Sequence, residues 1–260
     1  MEMKSTFTVT FLGTGTSQGI PVIASDHAVC KSNDPKDKRL RVSILISWND
    51  FNFVIDCGPD FRQQMLRENC TKLDGVLLTH EHSDHTAGLD DIRPFYFEQG
   101  NVTFYADKRV FENLHQRFSY IFETENKYPG APTLDEIEID KNTSFQLAGK
   151  KIIPIEAFHG KLPVLGFRID NFTYLTDVKT ITDEEIKKIK GTEVLVINAL
   201  RHEIHHSHLN LTEALELIEE IKPTKTYLTH ISHLLGFHCE VEKKLPKNVF
   251  LAYDTLKIKL

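Results

Sequence analysis

The segment VLLTHEHSDHTAGLDD, residues 76–91, joins an apolar run to a dense cluster of histidines. It contains His80, His82, Asp84 and His85 in close succession. Alternate side chains of an extended chain point the same way, so His80 and His82 can share one metal ion. Asp84 and His85 are adjacent and should diverge, but at the start of a helical turn they can face a second ion. The cluster therefore predicts a metal site with room for two ions, rather than a solvated histidine-rich loop.

Further ligand-type residues lie downstream, each at the end of a predicted strand. His159 follows the run IIPIEAF, Asp177 follows FTYLT, and His230 follows TYLT. Strand ends along one edge of an α/β sandwich can gather such side chains into one site. Two ions held about 3.5–4 Å apart form a clamp that suits the hydrolysis of phosphate esters or amides. The pattern thus indicates metal-dependent hydrolysis.

Composition narrows the class of protein. The chain has 260 residues, 40% of them apolar, which is typical of a folded protein and not of a disordered or membrane one. No apolar run of about 18 residues occurs. The start MEMKSTFTVTFLG lacks signal-peptide features, so we expect a cytoplasmic protein with no membrane partner. The formal charge of −6 argues against a nucleic-acid partner.

Short runs rich in β-branched and aromatic residues predict strands, with turns between them. The predicted strands are 6–13, 42–47, 51–58, 75–80, 102–106, 152–158, 164–170, 172–177, 193–198, 226–230 and 249–254. Thr182 with Glu185, and Asn210 with Glu213, are capping-box patterns that start two helices. The two β-rich halves, each with helices, predict an α/β fold of two face-to-face sheets with helices outside. We expect one domain over residues 1–260.

The sequence HEHSDH, residues 80–85, resembles the His-x-His-x-Asp-His signature of the metallo-β-lactamase superfamily. Asp56, His159, Asp177 and His230 match its other motifs in order. More closely, LGTGTSQGIP, GLDDIRPF, AFHGKLPVLGFRI, YLTDVK and THISH resemble the PhnP-type phosphodiesterases, which act on cyclic phosphates of ribose. The resemblance implies a four-layer αβ/βα sandwich of two mixed sheets. It also implies a small phosphodiester substrate of the ribose cyclic phosphate type.

The resemblance further implies an assignment of ligands to two ions. One ion is held by His80, His82 and His159, the other by Asp84, His85 and His230, and Asp177 bridges both together with a hydroxide. Nitrogen and oxygen ligands without a thiolate suit zinc or manganese. Asp56 would orient the ligand loop. An aspartate in a β-turn before Gly58 is the alternative for that residue.

The cluster RHEIHHSHLN, residues 201–210, contains a candidate catalytic group. His208 lies two residues before the predicted helix cap Asn210, where free N–H groups would attract a phosphate. Its imidazole can hydrogen-bond a phosphoryl oxygen or protonate a leaving alkoxide, and the resemblance places a catalytic histidine here. With Asp84 and Asp177 it completes the predicted catalytic set, in which the bridging hydroxide attacks phosphorus. The other three histidines of the cluster are expected to be loop residues.

A third metal site is suggested by the resemblance but altered in this chain. PhnP-type proteins often hold a structural zinc with a Cys-x-Cys-x-x-Cys segment and a later histidine. Here His27, Cys30 and His233 occupy matching positions, with Asp26 or a water as the fourth ligand that zinc requires. The sequence leaves the occupancy of this site open. Arg93 is equally compatible with a substrate contact and with a salt bridge to Asp90 or Asp91.

Two other functions compete with the phosphodiesterase. The first is RNA processing as in tRNase Z proteins, which carry a long protruding arm, whereas residues 160–176 allow little more than a hairpin here. The second is a metal-binding protein of the same fold that has lost catalysis, but all seven ligand positions are intact. A homodimer is compatible with the sequence.

Overall fold

A computed structural model describes residues 6–260, which divide into two units. Within the described chain, unit 1 comprises residues 6–13, 42–139 and 255–260, and unit 2 comprises residues 14–41 and 140–254. Each unit contains one mixed β-sheet with helices, as predicted. That residues 1–260 form a single domain stays a prediction.

The sheet of unit 1 has seven strands. They are β1 (Thr8–Gly13), β2 (Ser43–Trp48), β3 (Phe51–Ile55), β4 (Gly75–Leu77), β5 (Val102–Ala106), β6 (Leu134–Glu138) and β15 (Lys257–Lys259), in the order β15-β1-β2-β3-β4-β5-β6. The strands from β15 to β3 pair antiparallel, and those from β3 to β6 pair in parallel. Because Ile55 of β3 pairs with Leu77 of β4, the residues after both strands leave the sheet at one edge.

The helices of unit 1 follow the strands they pack on. They are α1 (Phe61–Arg67), α2 (Ser83–Thr86), α3 (Arg93–Gln99), α4 (Lys108–Arg117) and α5 (Ser119–Phe122), with a 3-10 turn at Leu89–Ile92. In α4, Val110, Phe111 and Leu114 form a buried stripe at helical spacing that joins the core of unit 1. Asp107 caps this helix, because its Oδ1 accepts a hydrogen bond from the backbone N of Arg109 at 2.9 Å.

Unit 2 contains an eight-stranded sheet. Its strands are β7 (Phe145–Leu147), β8 (Lys150–His159), β9 (Leu162–Ile169), β10 (Phe172–Tyr174), β11 (Thr180–Ile181), β12 (Val194–Asn198), β13 (Lys225–Thr229) and β14 (Val249–Leu251). The main order is β11-β8-β9-β10-β12-β13-β14, and β7 pairs with β8. From β10 to β14 the pairing is parallel, so the ends of those strands meet at one edge.

The helices of unit 2 are α6 (Asp183–Ile189), α7 (Leu211–Ile221) and α8 (His238–Glu242), with 3-10 turns at Ala28–Lys31, Pro35–Asp37 and His233–Leu235. Asn210 and Glu213 form the predicted reciprocal capping box at the start of α7. Thr182 caps α6, but the Glu185 carboxylate instead accepts a hydrogen bond from the backbone N of Glu156 on β8. Of the helices in residues 6–260, none is long and apolar enough to cross a bilayer.

Every predicted strand is present, but four predictions extend three residues too far. The strands predicted over 51–58, 75–80, 172–177 and 249–254 end at Ile55, Leu77, Tyr174 and Leu251. After two of them the backbone turns into the left-handed region, with φ of 65° at Asp56 and 59° at Asp177. A strand cannot continue through such a residue. Because β3, β4 and β10 end early, Asp56, His80 and Asp177 lie in the segments after these strands and not within the sheets.

Candidate metal centre

Unit 1 gathers five of the predicted site residues where β3 and β4 end. Asp56 follows β3, His80 and His82 lie in the loop after β4, and Asp84 and His85 lie in α2. The ring centroids of His80 and His82 are 4.6 Å apart, and those of His80 and His85 are 4.1 Å apart. Asp56, His80 and His85 are fully buried. Three imidazoles and two carboxylates therefore share one region of unit 1.

Asp56 orients two of these histidines. Its Oδ1 accepts a hydrogen bond from Thr79 N at 2.8 Å, and its Oδ2 accepts one from Thr79 Oγ1 at 2.9 Å and lies 2.7 Å from His85 Nδ1. His85 therefore carries its proton on Nδ1 and presents Nε2 as a ligand atom. Since the Thr79 hydroxyl donates to Asp56, it accepts from His80 Nδ1 at 3.0 Å, and His80 presents Nε2 in the same way. Burial raises the pKa of Asp56, while His85 and the Thr79 hydrogen bonds oppose that rise.

Asp84 and His85 lie in a helical turn, as expected, and their side chains come together there. Asp84 Oδ2 lies 3.3 Å from His85 Nε2. Both residues belong to the single turn of α2, where a short carboxylate can reach the neighbouring imidazole. Gly58 allows the chain to approach this turn, because a Cβ atom there would lie 1.9 Å from Asp84 O. In this packing Cys57 N donates to His85 O at 2.8 Å.

Unit 2 gathers the other four predicted residues at the end of its sheet. His159 ends β8, Asp177 comes three residues after β10, and His230 directly follows β13. The parallel pairing from β10 to β13 brings Asp177 and His230 to the same edge. Pairing of β11 with β8 sets Thr180 opposite Phe158, so His159 lies beside the segment that follows Asp177.

The side chains of this second group are in direct contact. Asp177 Oδ1 lies 3.0 Å from His208 Nε2 and 3.3 Å from His230 Nε2. The His208 ring lies 4.3 Å from that of His159 and 4.8 Å from that of His230. Ligand-type atoms of His159, Asp177 and His208 all fall within 4.8 Å of one another. His159 Nδ1 donates to Ser207 O at 2.8 Å, so His159 also presents Nε2.

His208 is held as a neutral imidazole. Burial lowers the pKa of His208 to about 4, although its hydrogen bond to Asp177 opposes the change. Its Nδ1 lies 3.2 Å from Ser207 Oγ and 3.1 Å from His205 Nδ1. His202 and His206 are exposed, as expected of loop residues. His205 is not a free loop residue, because its ring packs against His208.

Asn198 is a further residue of this region that the sequence did not single out. It is fully buried at the end of β12, where its Oδ1 accepts from Val178 N at 2.7 Å and its Nδ2 donates to Val178 O at 3.0 Å. It thereby fixes Val178, the residue directly after Asp177. The backbone of Asp177 is left-handed, with a φ of 59°. The signal was present in the sequence, because Asn198 is the one polar residue that closes the apolar run VLVIN.

The donor set fits divalent metal ions. A carboxylate, a hydroxyl and a backbone carbonyl each engage the Nδ1 atom of a predicted histidine ligand, so that Nε2 is presented. Such partners are typical of metal-ligating histidines, whose tautomer they fix. Imidazole and carboxylate donors suit zinc and manganese alike. The thiol of Cys57, next to Asp56, is buried, and burial raises its pKa, so it offers no thiolate.

The residues predicted for a structural zinc also lie in unit 2. The rings of His27 and His233 are 4.9 Å apart and nearly perpendicular. His27 Nδ1 accepts from Val29 N at 3.3 Å, and buried Cys30 Sγ accepts from Val22 N at 3.4 Å. Asp26 is on the surface, with its side chain 95% exposed and paired with Lys31. A structural zinc at this position stays a prediction.

The alternative role of Arg93 has a structural counterpart. Arg93 Nη2 donates to Asp90 Oδ1 at 2.7 Å, which is the salt bridge considered as its alternative role. In the segment LGTGTSQGIP, residues 12–21, which continues from β1 into a loop, Thr14 O accepts from Ile231 N at 2.9 Å, and Thr16 N donates to Ile231 O at 3.0 Å. This part of the loop therefore fixes the residue that follows His230.

Comparison with known proteins identifies the family. The family described as "Beta-lactamase superfamily domain" matches residues 51–231, which is more than half of the chain. The chain therefore belongs to the β-lactamase superfamily. Within it, the chain is similar to the crystal structure of a diphosphatase from the PhnP family. The two are 37% identical, 99% of this chain and 98% of that chain are covered, and the TM-score is 0.92.

More distant structures share the fold alone. Zinc-bound PqqB from Methylobacterium extorquens is 17% identical with a TM-score of 0.81, over 97% of this chain and 100% of that chain. The short form of human tRNase Z is 18% identical with a TM-score of 0.67, over 96% of this chain and 98% of that chain. These likenesses and the family match confirm the predicted metallo-β-lactamase fold class.

A curated relative is considerably longer than this chain. A protein of Porphyromonas gingivalis named octanoyltransferase is 40% identical over 248 residues, covering 95% of this chain and 50% of that protein. This chain thus spans about half the length of that curated relative. Half of the P. gingivalis protein has no counterpart in the chain described here.

Proposed function

We propose that this chain is a metal-dependent hydrolase that cleaves a small phosphodiester with two divalent ions. The two ligand groups, one in each unit, would together provide His80, His82 and His159 for one ion and Asp84, His85 and His230 for the other, with Asp177 shared. Similarity to a PhnP-family diphosphatase over the whole chain supports this assignment. So does the fixed tautomer of His80, His85 and His159, which presents Nε2 in each case.

The observation that carries the proposal is the contact between His208 and Asp177. His208 Nε2 lies 3.0 Å from Asp177 Oδ1, and burial favours the neutral ring. A neutral imidazole with its proton on Nε2 can donate a hydrogen bond to a phosphoryl oxygen, and once it has taken up a second proton it can protonate a departing oxygen. The ions, when bound, would acidify the attacking water and neutralise phosphoryl charge.

The overall reaction needs no other co-reactant. Water oxygen forms a bond to phosphorus and releases a proton, and the bond between phosphorus and the leaving oxygen breaks. Neutral His208 would take up a proton to become an imidazolium and pass one to the leaving oxygen, so that the proton lost by water is the one gained by the leaving group. A cyclic diester would open to one phosphomonoester, because the leaving group stays tethered. The similar PhnP-family protein is called a diphosphatase, so a phosphoric anhydride is the alternative bond that this site would cleave.

A second candidate function is hydrolysis of an octanoyl thioester. It is favoured by the 40% identity to the protein named octanoyltransferase. Half of that protein is unmatched by this chain, and the named activity can reside there. The tRNA-processing alternative is weakened by the hairpin of β8 and β9, in which His159 pairs with Leu162 and leaves a two-residue turn. The charge of −6 also disfavours tRNA.

The test is a substrate panel with protein loaded with zinc or with manganese. It contains bis-p-nitrophenyl phosphate, ribose 1,2-cyclic phosphate, a 2′,3′-cyclic nucleotide, a nucleoside diphosphate, octanoyl thioester and tRNA. We expect turnover of a cyclic or linear phosphodiester, and its loss together with metal in Asp177→Ala. Hydrolysis of the anhydride or the thioester alone would replace the proposed substrate class. Inactivity on the whole panel with both metals bound would favour a non-catalytic binding protein.

A further inference from the structure

The HEHSDH segment is bound from outside by two arginines of α4. Arg117, the last residue of α4, donates from Nη1 to Glu81 O at 2.8 Å and to Thr86 Oγ1 at 2.9 Å. Its Nη2 donates to Ser83 Oγ at 3.2 Å. Arg109, on the same helix, forms a salt bridge with the Glu81 carboxylate. None of these residues belongs to the predicted ligand set.

We propose that Arg117 is a positioning residue for the metal ligands of residues 81–86, an inference that rests on the proposed metal site. Its guanidinium holds both ends of the segment that contains His82, Asp84 and His85. Arg109 fixes the side chain of Glu81 at the start of the same segment.

The segment needs such external support because its own structure is small. Helix α2 is one turn of four residues, and a single turn has little stability by itself. The Thr86 hydroxyl donates to His82 O at 2.9 Å while it accepts from Arg117. One chain of hydrogen bonds therefore connects Arg117 to the backbone of a predicted ligand. Only a planar fork can reach Glu81 O, Thr86 Oγ1 and Ser83 Oγ together, and a lysine cannot.

The positive charge of Arg117 and its hydrogen bonds to residues 81–86 should have opposite effects on metal affinity, which makes the proposal testable. Arg117 contacts residues interleaved with the ligands, so its positive charge repels a bound cation. If Arg117 acted through its charge alone, its removal would tighten metal binding. If it positions the ligands, its removal weakens metal binding, because the loss of groups that orient ligands typically costs about 10- to 100-fold in affinity.

The experiment measures zinc affinity by competition with a chromophoric chelator, and melting of the metal-free protein. We expect Arg117→Gln to bind zinc about tenfold more weakly than the wild type. Arg117→Lys, which keeps the charge but carries its donors on a single nitrogen, should fall between the two. The matched control is Arg168→Gln, because the Arg168 guanidinium also holds a chain segment through several hydrogen bonds, donating to the backbone carbonyls of Lys188 at 2.6 Å and Lys190 at 2.7 Å. Those carbonyls lie at the end of α6, which carries none of the predicted ligands.

The control should lose melting temperature to a similar extent and keep its zinc affinity. The proposal is overturned if Arg117→Gln binds zinc as tightly as the wild type or more tightly, or weakens no more than Arg168→Gln. If Arg117→Gln does not fold, Arg117→Lys decides: weaker zinc binding supports positioning, and unchanged binding overturns it. A wild-type protein that binds no zinc would instead overturn the proposed metal site itself.

Discussion

Asn198 pairs with both backbone polar groups of Val178, at 2.7 Å to its N and 3.0 Å to its O. A side-chain amide here replaces the strand partner that Val178 lacks, directly after Asp177 has turned the chain out of the sheet. Because the contact is fully buried, water cannot take over either hydrogen bond. The position of Asp177 therefore depends on a residue 21 places further along the chain, at the end of β12.

Replacement of Asn198 should impair both stability and metal binding. Asn198→Ala leaves the N–H of Val178 buried and unsatisfied, at about 1–3 kcal/mol, whereas its C=O still accepts from Leu209 N at 2.8 Å. We expect a lower melting temperature and less metal after dialysis, measured by calorimetry and elemental analysis. Thr173→Val is the control, because it removes a buried hydrogen bond to Thr192 in the same unit without touching Val178. Equal metal loss in both variants would show that Asn198 acts only through general stability.

Loss of the His208 side chain should separate catalysis from metal binding. In His208→Ala, turnover of the best phosphodiester should fall about 100- to 10,000-fold, the usual contribution of a general acid or base. The metal content should stay unchanged. His206→Ala, which removes an exposed ring of the same loop, should keep both properties.

His208 lies close to His159 and Asp177, so the outcome that would contradict this prediction is that His208 binds a metal ion. If His208→Ala loses an ion as well as activity, His208 is a ligand and not a catalytic group. Elemental analysis of the purified variant, before any metal is added, distinguishes the two roles.

Metal stoichiometry tests the altered structural site. Wild-type protein purified without chelator should contain about three equivalents of metal if His27, Cys30 and His233 hold a zinc, and about two if they do not. Cys30→Ser should then remove one equivalent and leave phosphodiester turnover largely unchanged. Two equivalents in both proteins would mean that the loop is held by its hydrogen bonds alone.

Stability should fall in mild acid through His238. Burial lowers the pKa of His238, Arg39 at 3.0 Å lowers it further, and Glu242 opposes the change. An unfolded histidine binds a proton near pH 6.5, so below that pH the unfolded state takes up a proton that the folded state refuses. The contribution of neutral His238 to the free energy of unfolding is thus present above about pH 6.5 and is lost as the pH falls.

The check is the melting temperature of metal-free protein between about pH 8 and about pH 5.5. The decrease on acidification should be smaller in His238→Gln than in the wild type. Equal decreases would show that other groups account for the acid sensitivity.

The sequence predicted eleven of the fifteen strands in the described chain and the downstream ligand candidates, because β-branched runs and histidines at strand ends are local signals. It did not predict β6, β7, β11 and β15. Nor did it predict that β3 would stop at Ile55 or β10 at Tyr174. Left-handed backbone follows these two strands at Asp56 and Asp177, and it follows β13 at His230, with φ of 65°, 59° and 55° respectively. Such conformations are uncommon for residues other than glycine, and only the surrounding contacts impose them.

The groups that support the predicted ligands were harder to predict than those residues themselves. Thr79 and Asn198 act through hydrogen bonds to residues 23 and 20 positions away. Arg117 contacts residues more than 30 positions earlier in the chain. No spacing rule connects residues at such separations, and helix α4, on which Arg117 lies, was itself not predicted. Its capping residue Asp107 was the available signal.

The pairing of β1 with β15 sets an order of assembly. Thr8 lies opposite Lys259, so one edge of β1 stays exposed until β15 has left the ribosome. All residues of unit 2 are synthesised before that moment. During translation unit 2 can therefore fold first, whereas the sheet of unit 1 is completed only after β15 has been synthesised. Contacts this remote in sequence are slow to form, and a nascent chain that stalls before residue 257 carries an open edge prone to aggregation.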